Sequence, residues 1–241
     1  GNDGSFRHFI SANGQFVTFE SSATNLVPGD TNNADDLFLR DLSSNTTTRI
    51  SVDSAGNPGN DNSFSGSISA NSRFVAFGSN ATNLVPGDTN NSGDIFLRDL
   101  SANTTTRISV DSAGNQGNGN SFVSSISADG RFVVFSSDAS NLVPGDTNGS
   151  SDIFLRDLSN NTTTCISVDS AGNPGSRSRG SSSVPSISAD GRFVVFASDA
   201  ANLVPGDTNG SSDIFLRDLS SNTTTRISVD SAGSQTTISN F

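Results

Sequence analysis

Apolar residues in this chain come in short bursts separated by polar turns, and the bursts recur in a fixed order. The run Arg131-Phe-Val-Val-Phe-Ser136 is continuous rather than alternating, which predicts a strand buried on both faces. Asp152-Ile-Phe-Leu-Arg-Asp-Leu158 reads the same way. Thr162–Val168 is rich in β-branched residues and predicts a further strand. Ser124–Ser127 predicts a short first strand with small side chains, closed by a turn at Ala128-Asp-Gly130. Pro144-Gly145 breaks the long polar loop between the second and third strands. No helical periodicity competes with this reading.

The four-strand pattern occurs four times. Its most regular stretch, Asn-Leu-Val-Pro-Gly-Asp-Thr-Asn running on into an apolar strand, begins at Asn25, Asn83, Asn141 and Asn202, spacings of 58, 58 and 61 residues. A period of this size marks a repeat architecture, and tandem four-stranded antiparallel units predict an all-β fold, a β-propeller. Neither apolar face of a blade can be buried without neighbours, so residues 1–241 read as one domain. Its blades lie at about 5–54, 63–112, 121–170 and 182–230, with 231–241 as a tail that closes the ring. Four repeats form a four-bladed ring, half of an eight-bladed ring completed by a second chain, or a piece of a longer array, and the expected state is a monomer or a ring-completing homodimer.

Composition narrows the partners. The net charge is −11, from 24 acids against 13 bases, and such a surface repels phosphate backbones, so no nucleic acid is expected. No run of 18 apolar residues exists to span a membrane as a helix. Cys165 is the only cysteine, which excludes an internal disulfide. The other repeats carry Arg49, Arg107 and Arg226 in its place, and Cys165 reads as a drifted strand residue.

The pattern Ile-Ser-Ala-Asp-Gly-Arg-Phe-Val-Val-Phe (126–135 and 187–196), followed by Asp-Ile-Phe-Leu-Arg-Asp-Leu, resembles the TolB-like propeller repeat. The Asn-Leu-Val-Pro-Gly-Asp-Thr-Asn-Gly loop is similar to a subgroup found in secreted or envelope-associated bacterial proteins. The resemblance covers essentially the whole chain. It implies a propeller, an extracellular or cell-envelope setting, and a binding or scaffolding role toward a protein or glycan at the cell surface. It does not imply a catalytic site. One departure is Asn13 and Asn71, where the later turns carry Asp129 and Asp190.

The leading candidate chemistry is a calcium site in each long loop: Asp30, Asn32 and Asp36; Asp88, Asn90 and Asp94; Asp146, Asn148 and Asp152; Asp207, Asn209 and Asp213. Hard cations take six to eight oxygens from short carboxylates and amides on sharply turned loops, and two carboxylates predict a weak affinity of about 10⁻⁴–10⁻³ M. The spacing is similar to the second half of integrin-type propeller loops, although Pro144 stands where their first acid falls. The competing reading is that Asp and Asn cap the turn before the third strand. Both stay open on sequence. Each Arg-Asp pair, such as Arg156-Asp157, reads as framework, with Asp129 or Asp190 of an adjacent turn as the expected partner of the arginine.

Enzyme readings fare poorly. His8 and Glu20 are the only histidine and glutamate, and every other acid but a few has equivalents in sister blades, so no differentiated acid–base pair stands out. A lectin-like propeller is the alternative function, although no Trp or Tyr is present to stack on sugars. A hydrolase is the outside alternative. Two spots break the repeat and mark a possible unique binding surface: Arg7 and His8 on the first strand, and Arg177 and Arg179 in the longer linker before the fourth blade.

Overall fold

A computed structural model of the chain describes residues 1–176 and 182–235. Arg177, Arg179 and most of the tail proposed to close the ring (236–241) lie outside the described residues. The described chain contains sixteen strands and no helix. They form four antiparallel sheets, each in the order of the sequence. Blade one holds β1 (Ser5–Ile10), β2 (Phe16–Ser21), β3 (Asp36–Asp41) and β4 (Thr46–Arg49). Blade two holds β5 (Ser63–Ile68), β6 (Phe74–Ser79), β7 (Asp94–Asp99) and β8 (Thr104–Arg107). Blade three holds β9 (Ser121–Ile126), β10 (Phe132–Ser137), β11 (Asp152–Asp157) and β12 (Thr162–Cys165). Blade four holds β13 (Ser183–Ile187), β14 (Phe193–Ser198), β15 (Asp213–Asp218) and β16 (Thr223–Arg226). This is the four-bladed β-propeller that the repeats predict.

Two strand boundaries of blade three differ from the sequence reading by more than one residue. The first strand of blade three begins at Ser121 rather than Ser124. Each inner strand carries an irregularity, and Arg7, Ser65 and Val184 there take positive φ of 40°, 55° and 50°. A bulge of this kind breaks the period-two pattern by which a strand is recognised. The fourth strand stops at Cys165, because beyond it the Val168 N–H turns back to the Ile166 carbonyl at 2.8 Å and Val168 bridges to Pro174.

The core lies between blades. Leu37, Leu39 and Ile50 of blade one meet Val75, Phe77 and Phe96 of blade two. Ile95, Leu97 and Ile108 meet the equivalent residues of blade three, and Ile153, Leu155 and Ile166 those of blade four. This accounts for the continuous apolar runs, since each central strand sends residues to both neighbours. Within each blade a Phe pair, such as Phe135 and Phe154 at 5.9 Å, fixes the middle two strands. Burying each such ring stabilises the fold by about 1.5–3 kcal/mol.

Blade spacing leaves no slack at Gly66, where a Cβ would fall 2.5 Å from Leu37 of the preceding blade. The inner strands touch in series, β1 with β5, β5 with β9 and β9 with β13. Among the described residues no hydrogen bond or ion pair joins blade four to blade one, and the outward faces of those two blades remain open to solvent.

Candidate functional site

Each long loop gathers the residues that its sequence singles out. In blade one the Asn32 side-chain oxygen accepts the Ala34 N–H at 3.1 Å, a local turn. Its Nδ2 donates to Asp36 at 3.1 Å and to the Gly59 carbonyl at 2.9 Å. Asn90, Asn148 and Asn209 make the same bond to Asp94, Asp152 and Asp213. The other oxygen of Asp36 accepts the Ser51 hydroxyl at 2.6 Å, and the Leu37 N–H donates to that same hydroxyl at 3.2 Å. Serines 109, 167 and 228 repeat the arrangement at Asp94, Asp152 and Asp213.

A cation is already present in three of the four loops. Arg49 reaches Asp30 at 3.2 Å and Asp36 at 3.4 Å. Arg107 reaches Asp88 at 3.4 Å and Asp94 at 3.1 Å, and Arg226 reaches Asp207 at 3.3 Å and Asp213 at 3.6 Å. The guanidinium lies between the two carboxylates where a calcium ion would have to sit, so in blades one, two and four the donor set does not fit an additional metal. Sequence spacing missed these arginines because they come from β4, β8 and β16, a strand away from the acids. The signal was Cys165 standing where the other repeats have Arg.

Blade three is different. With Cys165 in place of the arginine, Asp146 and Asp152 line a small cavity of about 110 Å³ with the thiol, Val143 and Pro174. Burial and the proximity of Asp152 raise the Asp146 pKa, and burial raises that of Asp152. The Cys165 thiol is pushed up to about 12 by burial and then by Asp152, which keeps it protonated and unreactive. Among the described residues no group of three or more His, Cys, Asp or Glu is arranged to hold a metal ion. A cation here would therefore draw on two carboxylates, with Asn148, backbone carbonyls and water completing its shell.

The Arg-Asp pairs of the third strands are framework, but with other partners than expected. Arg156 does not reach Asp129. It donates to the Asp111 carbonyl of the preceding blade at 3.2 Å, to the Asn161 carbonyl and to Thr163. Its neighbour Asp157 is gripped by Arg131 through two bonds of 3.1 and 2.7 Å, which holds its pKa down to about 2. Arg73–Asp99 and Arg192–Asp218 repeat this grip. Asp129 instead accepts the Ser127 hydroxyl and the Arg131 N–H inside its turn. Asn71 takes the equivalent bonds in blade two, so an amide oxygen serves where only acceptance is needed.

The unrepeated residues do not assemble into a site. Glu20 is buried and accepts the Ser65 N–H of blade two at 2.6 Å; desolvation raises its pKa. His8 lies on exposed β1, paired with Phe19 of β2, and Glu20 is the residue after Phe19 on β2. Neighbours on a strand face opposite ways, which separates the two. Arg7 occupies the positive-φ position of the same strand.

No protein-family model matches the chain, and no curated relative does. Solved structures match it in fold. TolB from Acinetobacter baumannii is 17% identical, with a TM-score of 0.55 over 94% of this chain and 44% of that one. The β-propeller domain of the Trilobed protease from Pyrococcus furiosus is 12% identical, with a TM-score of 0.55 over 93% and 57%. The tricorn protease is 15% identical, with a TM-score of 0.55 over 92% and 22%. The chain thus has the propeller fold of TolB and TolB-like proteins, as its repeats suggest, and it spans less than two thirds of each of these structures.

Proposed function

We propose that this chain is a non-catalytic interaction scaffold of the secreted or envelope type. One observation carries the reading: the side chains that could do chemistry are engaged in holding the blades. The loop acids of blades one, two and four grip arginine, the strand arginines clamp neighbouring blades, and Glu20 closes a junction between blades one and two. What the fold offers a partner is its outer rim, where shallow grooves recur between blades. One of about 520 Å³ is lined by Pro28, Thr48 and Arg49, and one of about 510 Å³ by Pro86, Asp88 and Thr105. Incubation with panels of peptide and glycoside substrates should give no turnover. Turnover that disappears in Glu20→Gln or His8→Ala would overturn the scaffold reading, and capture on a glycan array would favour the lectin alternative.

Calcium is a second reading, favoured at one loop by one observation. The same carboxylate pair holds a guanidinium from the fourth strand in three blades, whereas in blade three that strand position is Cys165, so Asp146 and Asp152, with Asn148 beside them, are where Ca²⁺ would stand in for the charge of that arginine. Its contribution there is structural, pinning the loop to the third strand. A calcium-dependent rise in melting temperature confined to this loop tests it.

A further inference from the structure

We infer that the blade-three loop is a receptor for a guanidinium group, the side-chain end of an arginine presented by a partner protein. The inference rests on the scaffold reading and deepens it, naming what one rim pocket takes hold of.

The sister blades show what such a pocket holds. In blade one Arg49 lies among Val27, Pro28, Val52 and Pro58, with Asp30 and Asp36 at 3.2 and 3.4 Å. The blade-three cavity has the same walls in Val143, Pro144, Val168 and Pro174, and the same acids in Asp146 and Asp152. Its fourth-strand residue, Cys165, stops at the sulfur, and a cavity of about 110 Å³ lies where the longer side chain runs in the other blades.

Blade two gives the full set of acceptors. Arg107 donates to Asp94 at 3.1 Å and to the Gly87 carbonyl at 3.3 Å, with Asp88 at 3.4 Å. The repeat maps these onto Asp152, the Gly145 carbonyl and Asp146, all of which belong to residues lining the cavity. In blades one and two the carboxylate oxygen that meets the guanidinium also accepts the asparagine amide. The 2.7 Å bond from Asn148 to Asp152 therefore leaves room for a second donor.

The lining selects among cations. A guanidinium is planar and weakly hydrated, so it tolerates apolar walls while its fork meets carboxylates. A lysine ammonium is a strongly hydrated point charge and pays more to enter. The seated arginines of blades two and four stay 11% exposed, so the position is open to solvent on one side. Pro144, Gly145 and Gly172, which line the cavity, are exposed as well. So small a space takes a side-chain end and leaves the partner's backbone outside. The net charge of −11 draws a basic partner toward it.

The test is a titration with Nα-acetyl-arginine N-methylamide, whose only charge is the guanidinium, followed by amide nuclear magnetic resonance shifts. The lysine and citrulline analogues are the controls. The expected result is a saturable, millimolar response centred on Gly145, Asp146 and Cys165, about tenfold weaker for lysine and absent for uncharged citrulline. Binding should survive Asp88→Asn in blade two, weaken about tenfold or more in Asp146→Asn, and vanish in Cys165→Arg, whose own side chain fills the cavity. Three blades carry arginine at that position, so this variant folds, as an unchanged spectrum of the other blades would verify. Shifts that do not saturate, that citrulline reproduces, or that persist in Cys165→Arg would overturn the arginine receptor. They would leave the scaffold reading standing, because only turnover sinks that reading.

Discussion

Restoring the missing guanidinium in blade three should stabilise the protein. In Cys165→Arg the new side chain enters the cavity between Asp146 and Asp152, in the geometry that Arg107 shows with Asp88 and Asp94 at 3.4 and 3.1 Å. One hydrogen bond to a charged group, as Arg107 makes to Asp94, contributes about 1.5–3 kcal/mol, and the ion pair to the second carboxylate adds a comparable attraction. Ordering the arginine costs about 2 kcal/mol, and desolvating its charge removes part of the remainder. The net gain is about 1–2 kcal/mol, and in a domain of this size each 1 kcal/mol moves the melting temperature by about 2–4 °C. Differential scanning calorimetry in chelator-treated buffer reads this directly, with Cys165→Ala as the control. A melting temperature equal to or below that of the parent would refute the idea that the acidic pair is held by a positive charge.

Other expectations follow from the same geometry. The raised pKa values of Asp146 and Asp152 mean that the folded state binds protons more tightly than the unfolded chain, so acidification from neutral toward about 4 should raise stability; calorimetry across that range should show the rise shrink in Cys165→Arg. Below about 4 the sign reverses, since Asp157 is held at about 2 and its contribution is lost as protons displace Arg131; the loss is small because the Arg131 side chain is 41% exposed and its charge well screened, under about 1 kcal/mol. Glu20→Ala leaves the buried Ser65 N–H without its acceptor and should cost about 1–3 kcal/mol in urea unfolding, whereas an unchanged midpoint would deny that the junction depends on it. Gly66→Ala drives a methyl into Leu37 and should cost about 1–3 kcal/mol by overpacking, a cost that Leu37→Ala in the same chain should largely relieve.

The fold was legible because its signal is redundant. Asn25, Asn83, Asn141 and Asn202 set the period, and runs such as Phe132–Phe135 are apolar on both faces only because a blade lies on each side. The loop site was half legible. Asp146, Asn148 and Asp152 are near in sequence and meet in space, but Arg49 comes from the fourth strand, where the register sets it opposite Phe38. Only strand pairing brings it back to Asp30 and Asp36. Ring closure stays open on sequence, since Ile10, Val17 and Phe19 repeat the interior pattern whether or not anything covers them.

The claim that most needs testing is that three acidic loops are satisfied by arginine and one is not. Melting temperatures with and without millimolar Ca²⁺, with Mg²⁺ as the control, should be compared for the parent chain, Asp146→Ala, Asp88→Ala and Cys165→Arg. A ligand at about 100 times its dissociation constant stabilises by about 2.7 kcal/mol per site. The account predicts a Ca²⁺-selective rise that survives Asp88→Ala and vanishes in Asp146→Ala and Cys165→Arg. A rise that persists in Asp146→Ala, or that Asp88→Ala reduces equally, would contradict it.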